Sequence, residues 1–108
     1  MPIRSADATW NGTLKDGDGS FATQSGAVSG AYSFSTRFED GSGTNPEELV
    51  AAAHASCFSM ALSNELAKAG HEPQSVTTSA KVLLEKGDTG FGITRIDLVT
   101  TATVAGID

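Results

Sequence analysis

The sequence predicts an α+β protein in which antiparallel strands pack on one long central helix. Segments with alternating or β-branched residues lie at both ends of the chain, turn signals separate them in pairs, and a strong helix start lies between them. The chain has 108 residues and fits a single domain, 1–108. A chain of this length has a modest core, so self-association would help to stabilise it.

The first pair of strands is predicted to form a hairpin. Segments 6–14 and 19–25 flank residues 15–18, Lys-Asp-Gly-Asp, which is a good turn sequence. Segment 31–38 then alternates, with its aromatic residues on one face. The alternation predicts a half-buried strand in which Arg37 points away from the aromatic face. A flexible break is predicted at 41–44, Gly-Ser-Gly-Thr.

The helix start is marked by three adjoining signals. Asn45 suits the N-cap, Pro46 suits the first helical position, and Glu48 occupies the capping-box position. The helix is predicted to run to about Ala69, with Gly70 as the residue that ends it.

A second hairpin is predicted after the helix. Segment 75–86 is rich in β-branched residues, residues 87–90 form a turn, and segment 91–104 alternates. The sequence then stops at Asp108, directly after a strand. This predicts an unpaired strand edge that no other element protects.

Composition and charge exclude several classes of function. With 13 acidic and seven basic residues the net charge is −6, which argues against a nucleic-acid binder. The first residues lack the apolar core of a signal peptide. The longest apolar stretch, from Leu49 to Leu62, is too short to span a bilayer. The protein is therefore expected to be soluble and cytoplasmic, with no membrane partner.

Cys57 is the one cysteine of the sequence, so its character bears on function. A free cysteine often packs in the core as a small apolar residue, whereas a reactive thiol needs a nearby cation that stabilises the thiolate. Arg37 is the candidate cation, although it also fits an ordinary exposed strand arginine. Leu49, Ala53, Cys57 and Met60 fall on one stripe of the helix. Spacing alone leaves both interpretations of the thiol open.

Three stretches of the chain carry a family resemblance. They are 36–39 (TRFE), 43–49 (GTNPEEL) and 52–62 (AAHASCFSMAL), and the matches at 10–12 and 90–94 fit as well. Together they closely resemble the family of osmotically inducible and organic-hydroperoxide-resistance proteins (OsmC/Ohr), the OsmC branch in particular. A helix start NPEEL followed by Cys-Phe at this spacing is far more specific than any single residue.

The resemblance implies a fold, an activity and a set of site residues. Cys57 would be a peroxide-reducing cysteine, with Arg37 and Glu47 as its catalytic partners. The substrates would be hydroperoxides, organic ones above all and hydrogen peroxide less well, and a thiol or dithiol would be the reductant. The family uses no metal, haem or flavin, so no cofactor is expected. It also implies an intertwined homodimer and a role in oxidative or osmotic stress.

Helix geometry gives an independent reason to expect a dimer. Glu47 and Cys57 are ten residues apart, or roughly 15 Å along a helix, so they cannot share one compact site in cis unless the helix breaks. Two antiparallel helices crossing near Ala52 would bring Glu47 of one chain beside Cys57 of the other. The small residues there suit such a crossing, and two-fold dimers are the commonest assembly. An isologous homodimer with composite active sites is predicted.

The sequence departs from the family pattern at its end. Members usually carry a second, resolving cysteine on a later helix, followed by a final strand, and neither is present in these 108 residues. The chain is a fragment of a longer protein, a truncated gene product, or a one-cysteine enzyme that depends on an external thiol. A C-terminally incomplete domain is the favoured expectation.

Two functions are therefore carried forward. The first is a cysteine-based peroxidase with an apolar pocket beside Tyr32, Phe34, Phe58 or Met60 for an alkyl peroxide. The alternative is a non-catalytic binding or dimerisation domain of the same fold, in which Cys57 is an inert thiol.

Overall fold

A computed structural model describes residues 2–39, 41–88 and 90–105. The chain contains antiparallel strands and helices, which confirms the predicted α+β class. It divides into two compact units, of which the first ends at Pro46 and the second begins at Glu47. The single domain over residues 1–108 stays a prediction, and so does the packing of all strands on one helix.

The first unit contains a three-stranded antiparallel sheet in the order β1-β2-β3. Its strands are β1 (Ala6–Asn11), β2 (Asp18–Thr23) and β3 (Ser29–Tyr32). The predicted first hairpin is thereby confirmed, with Ala8 opposite Phe21 in the register.

A five-residue helix, α1 (Phe34–Phe38), follows β3, so the predicted strand over 31–38 is wrong beyond Tyr32. The helix begins because Ser33 and Thr36 form a reciprocal capping box, which satisfies free backbone groups at the helix start. The rings of Phe34 and Phe38 lie 5.0 Å apart between centroids, as an i,i+4 pair on a helix should. The same aromatic spacing also fits strand alternation, and the local hydrogen bonds decide between the two.

The 23-residue helix α2 (Pro46–Lys68) lies in the second unit from Glu47 onwards. It starts at the predicted proline and carries Glu47 and Glu48 in its first turn, where carboxylates favour the positive end of the helix dipole. Gly70 adopts φ +89° and its N–H donates to the Ala67 carbonyl at 3.0 Å, while the His71 N–H donates to the Leu66 carbonyl at 2.8 Å. This pair of bonds is a Schellman motif, so the predicted glycine stop is confirmed.

The strands β4 (Pro73–Gly87) and β5 (Gly90–Val104) form the predicted second hairpin. Ser59 of α2 donates a hydrogen bond to the Thr78 hydroxyl at 2.7 Å, and the hydroxyls of Thr78 and Thr100 are 3.1 Å apart. These bonds connect the helix to both strands of the hairpin. Thr89 of the predicted turn and the bare edge predicted at Asp108 lie outside the described residues.

Apolar side chains are poorly covered in both units. Among the described residues none of them is buried, and the most exposed large ones are Ile3 at 83%, Met60 at 76% and Val99 at 70%. No helix in the described ranges is long and apolar enough to cross a membrane.

Candidate active site

Cys57 lies in the middle of α2 and is exposed. A structural core cysteine is normally among the most buried residues of a protein. In this chain the thiol is therefore open to reagents, as are the apolar side chains of the described residues, none of which is buried.

The stripe that contains Cys57 faces away from the hairpin. Ala53, Cys57 and Met60 are exposed, whereas Leu49 is half-buried. Several helix residues on the other side are half-buried, among them Ala51, Ala55 and Ser59, and Ser59 bonds to Thr78 of β4. The predicted stripe therefore exists as a surface on which the thiol lies between a small residue, Ala53, and a large apolar one, Met60.

Glu47 lies in the first turn of α2 and is the one buried polar or charged residue among those described, with 9% of its surface exposed. The helix runs without a break from Pro46 to Lys68, so the spacing of ten positions from Glu47 to Cys57 separates them by roughly 15 Å along the axis. Within one chain, the structure does not bring these two side chains together.

Arg37 lies on α1 rather than on a strand. Its guanidinium carbon is 5.2 Å from the centre of the Phe38 ring, within the range of a cation–π contact. The prediction that Arg37 points away from the aromatic residues is wrong, because the helix places positions 34, 37 and 38 on one face.

A concave pocket of about 260 Å³ lies beside Arg37 in the first unit. It is lined by Trp10, Leu14, Tyr32, Ser33, Phe34, Arg37 and Phe38. The rings of Trp10 and Tyr32 form one wall, with centroids 5.5 Å apart. The lining is mainly aromatic and apolar, with a permanently charged guanidinium among it.

The pocket agrees only in part with the expected one. Tyr32 and Phe34 line it as predicted, whereas Phe58 and Met60 belong to α2 in the second unit. Sequence reasoning missed Trp10 and Leu14. Recognising the capping pair Ser33 and Thr36 would have predicted a helix after β3 and directed the aromatic face towards the first hairpin.

The three predicted site residues are thus distributed between the units: Arg37 lies in the first, and Glu47 and Cys57 lie in the second. Within the described ranges, His, Cys, Asp and Glu residues form no group of three or more that could hold a metal ion. The expectation of a reaction without cofactor stays a prediction.

Comparison with known proteins identifies related sequences. Residues 39–108 match the family model described as OsmC-like protein. The chain is 51% identical over 106 residues to peroxiredoxin OsmC of Escherichia coli (strain K12), covering 97% of this chain and 74% of the relative. The peroxiredoxin OsmC of Shigella flexneri matches with the same identity and coverage.

Solved structures agree on the fold. The organic hydroperoxide resistance protein OhrB of Bacillus subtilis superposes with a TM-score of 0.63 at 24% identity, covering 96% of this chain and 74% of that one. An organic hydroperoxide resistance protein from Elizabethkingia anophelis superposes with a TM-score of 0.63 at 23% identity, covering 99% of this chain and 74% of that one. At these identities the likeness concerns the architecture.

Proposed function

This chain belongs to the OsmC-like family and is a thiol-dependent peroxidase, and we propose that it reduces organic hydroperoxides at Cys57. The observation that carries the proposal is the placement of the chain's one cysteine, exposed in the middle of α2. A peroxidatic thiol has to meet the peroxide directly, and a thiol at this surface can do so.

The reaction is a two-electron transfer from sulfur to the peroxide. The Cys57 thiolate attacks the terminal oxygen of R–O–OH, the S–O bond forms as the O–O bond breaks, and the alkoxide leaves and takes up a proton to become the alcohol ROH. Sulfur is oxidised to a sulfenic acid, and the peroxide is reduced.

Arg37 is proposed as the group that stabilises the thiolate and the charge developing on the peroxide. A guanidinium keeps its proton at any working pH and presents several N–H donors in a fixed plane. Its position supports the role, because the exposed guanidinium lies beside a mainly apolar pocket and its donors can reach a peroxide bound there.

Glu47 is proposed to orient that guanidinium through a charge-assisted bond in a composite site of a homodimer. The unbroken helix supports this arrangement, because Glu47 and Cys57 of one chain are too far apart along α2 to share a site. Two copies of α2 crossing near Ala52 would bring Glu47 of one chain beside Cys57 of the other, and the exposed Ala53 is small enough to allow that crossing.

Organic hydroperoxides are proposed as the preferred substrates because the pocket beside Arg37 is lined mainly by aromatic and aliphatic side chains. An alkyl or aryl group would displace water from such a surface, at roughly 25 cal/mol per Å² of apolar area. Hydrogen peroxide has no apolar group and would gain nothing from it.

The catalytic cycle needs an external reductant in this proposal. A thiol attacks the sulfenic sulfur and releases water, leaving a mixed disulfide on Cys57. A second thiol then attacks that disulfide and regenerates the Cys57 thiol. A dithiol would supply both steps.

The test is steady-state consumption of cumene hydroperoxide with a dithiol reductant. We expect Cys57→Ser to abolish turnover and Arg37→Ala to lower kcat/KM by about 10²–10³-fold, the usual loss when one donor to the developing charge is removed. Arg37→Lys is the matched control, since it keeps the charge but not the planar donors, and it should retain intermediate activity. Unchanged turnover in Cys57→Ser would refute the proposal.

Titration of the thiol distinguishes the proposed peroxidase from the alternative, a non-catalytic domain with an inert thiol. The peroxidase predicts that Cys57 in the folded protein reacts with a disulfide reagent faster than it does after unfolding. A slower reaction in the folded protein would favour the non-catalytic domain.

A further inference from the structure

The helix that carries Arg37 is too short to hold its own position. Helix α1 has five residues, and isolated helices of fewer than about 12–15 residues are marginal in water. Its first turn is closed by the capping box: the Ser33 N–H donates to the Thr36 hydroxyl at 2.8 Å and the Thr36 N–H donates to the Ser33 hydroxyl at 3.3 Å. Thr36 therefore fixes the start of the helix.

The chain then folds back against α1 in residues 41–45, which we name the return loop. The Gly41 N–H donates to the Ser35 carbonyl at 3.2 Å, and a Cβ at Gly41 would collide with the Ser35 side chain. Gly43 adopts φ +124°, and a Cβ there would lie 3.3 Å from the Thr36 methyl. The glycines predicted as a flexible break in fact permit a close approach of two backbones.

Asn45 completes the contact between the return loop and the helix. Its side-chain amide donates to the Thr36 carbonyl at 2.9 Å, in a half-buried position. The Thr36 backbone and side chain thus bond to both Ser33 and Asn45, directly before Arg37 in the sequence.

We propose that Thr36 and Asn45 are positioning residues for the peroxidase reaction, which hold α1 so that Arg37 stays in the pocket. The proposal rests on the proposed role of Arg37. Helix α1 has two faces: Phe34, Arg37 and Phe38 line the pocket, while Ser35 and Thr36 contact the return loop. Fixing one face of so short a helix sets the direction of the other.

The chemical consequence follows from the precision that catalysis needs. A misplacement of about 1 Å in a group that contacts the reacting atoms can lower a rate by about 10²-fold. Loss of one or two of these hydrogen bonds would leave Arg37 present and charged but spread over several orientations. Thr36 and Asn45 therefore act through Arg37 and do not need to touch the peroxide.

The experiment measures kcat/KM for cumene hydroperoxide in variants made with Arg37 present and in the Arg37→Gln background. Thr36→Val removes the hydroxyl and keeps the shape, while Thr36→Ser keeps the hydroxyl and serves as its matched control. Asn45→Ser removes the amide that reaches Thr36 and keeps a side chain that is favourable at a helix N-terminus. It serves as the second variant if Thr36→Val folds poorly.

With Arg37 present, we expect Thr36→Val and Asn45→Ser each to lower kcat/KM by about tenfold and Thr36→Ser to stay near wild type. In the Arg37→Gln background neither change should lower it further, because there is no guanidinium left to position. The inference is overturned if kcat/KM falls by the same factor in both backgrounds, or if it does not fall when Arg37 is present. Arg37→Gln alone at the wild-type rate would instead overturn the proposed function.

Discussion

Arg37 is a residue whose surroundings differ from those that the sequence predicts. Its charge and its place in the TRFE stretch indicate a candidate cation for Cys57, and that role stays a prediction. Its neighbours were misassigned, because the spacing of Phe34 and Phe38 satisfies both a strand of period two and a helical i,i+4 pair. Side-chain to backbone bonds from Ser33 and Thr36 select the helix, and alternation alone does not reveal them.

Leu14 gives a residue-scale test of the substrate pocket. It lines the pocket and is 56% exposed, so Leu14→Ala should fold normally. Losing a few buried methylene contacts, each worth up to about 0.8 kcal/mol, should lower kcat/KM for cumene hydroperoxide about fivefold. The rate with hydrogen peroxide should not change.

The matched control for Leu14→Ala is Val28→Ala. Val28 is 46% exposed and is not among the residues that line the pocket. Both substrates should react with the control at wild-type rates. Equal losses for the two peroxides in Leu14→Ala would contradict the assignment of the pocket to the organic group.

At the scale of elements, α2 was the most predictable part of the chain. Asn45 and Pro46 predict its start and Gly70 its end, because backbone groups at helix termini need particular residues. The second hairpin was equally predictable from its β-branched strands and central turn. The division of the strands between two sheets could not be predicted, because pairing partners depend on contacts between segments distant in sequence.

Gly70→Ala tests the stop of α2. The φ of +89° at this position strains any residue with a Cβ, so the variant should lose about 1 kcal/mol of unfolding free energy in urea. Gly92→Ala is the control, because a Cβ there meets open space and its φ is ordinary. If the two variants were equally stable, the Schellman turn would make no specific contribution to the free energy of unfolding.

The hydroxyl of Thr78 tests the connection between α2 and the second hairpin. Thr78→Val should cost about 1 kcal/mol, because it removes the partner of both Ser59 and Thr100. In a Ser59→Ala background the same change should cost less, and urea unfolding of the four proteins measures the coupling. Strictly additive losses would mean that the Ser59–Thr78 bond does not support the structure.

For the whole molecule, the uncovered apolar side chains point to self-association. With Met60 at 76% and Val99 at 70% exposure, and no buried apolar side chain in the described ranges, a lone chain leaves much apolar surface in water. We expect sedimentation equilibrium to give twice the chain mass of 11.0 kDa. Met60→Lys, on the Cys57 stripe, should raise the dimer dissociation constant. If the unmodified protein sediments as a monomer, the predicted homodimer is contradicted.

A composite site makes a sharper prediction for mixed dimers. Glu47→Gln and Cys57→Ser proteins should each be nearly inactive. After both are unfolded and refolded together, half of the dimers are mixed and each holds one intact site, so about a quarter of wild-type activity should return. Activity no higher than the mean of the two parents would contradict a site built from Glu47 of one chain and Cys57 of the other.

The most direct test of the account is trapping of the sulfenic acid on Cys57. The protein is treated with one equivalent of cumene hydroperoxide and a sulfenic-selective nucleophile, and the adduct is located by mass spectrometry, with Arg37→Ala as the matched comparison. The account predicts a rapid single adduct on Cys57 that forms much more slowly in Arg37→Ala. The absence of an adduct, with the thiol still titratable after unfolding, would contradict the claim that Cys57 is the peroxidatic residue.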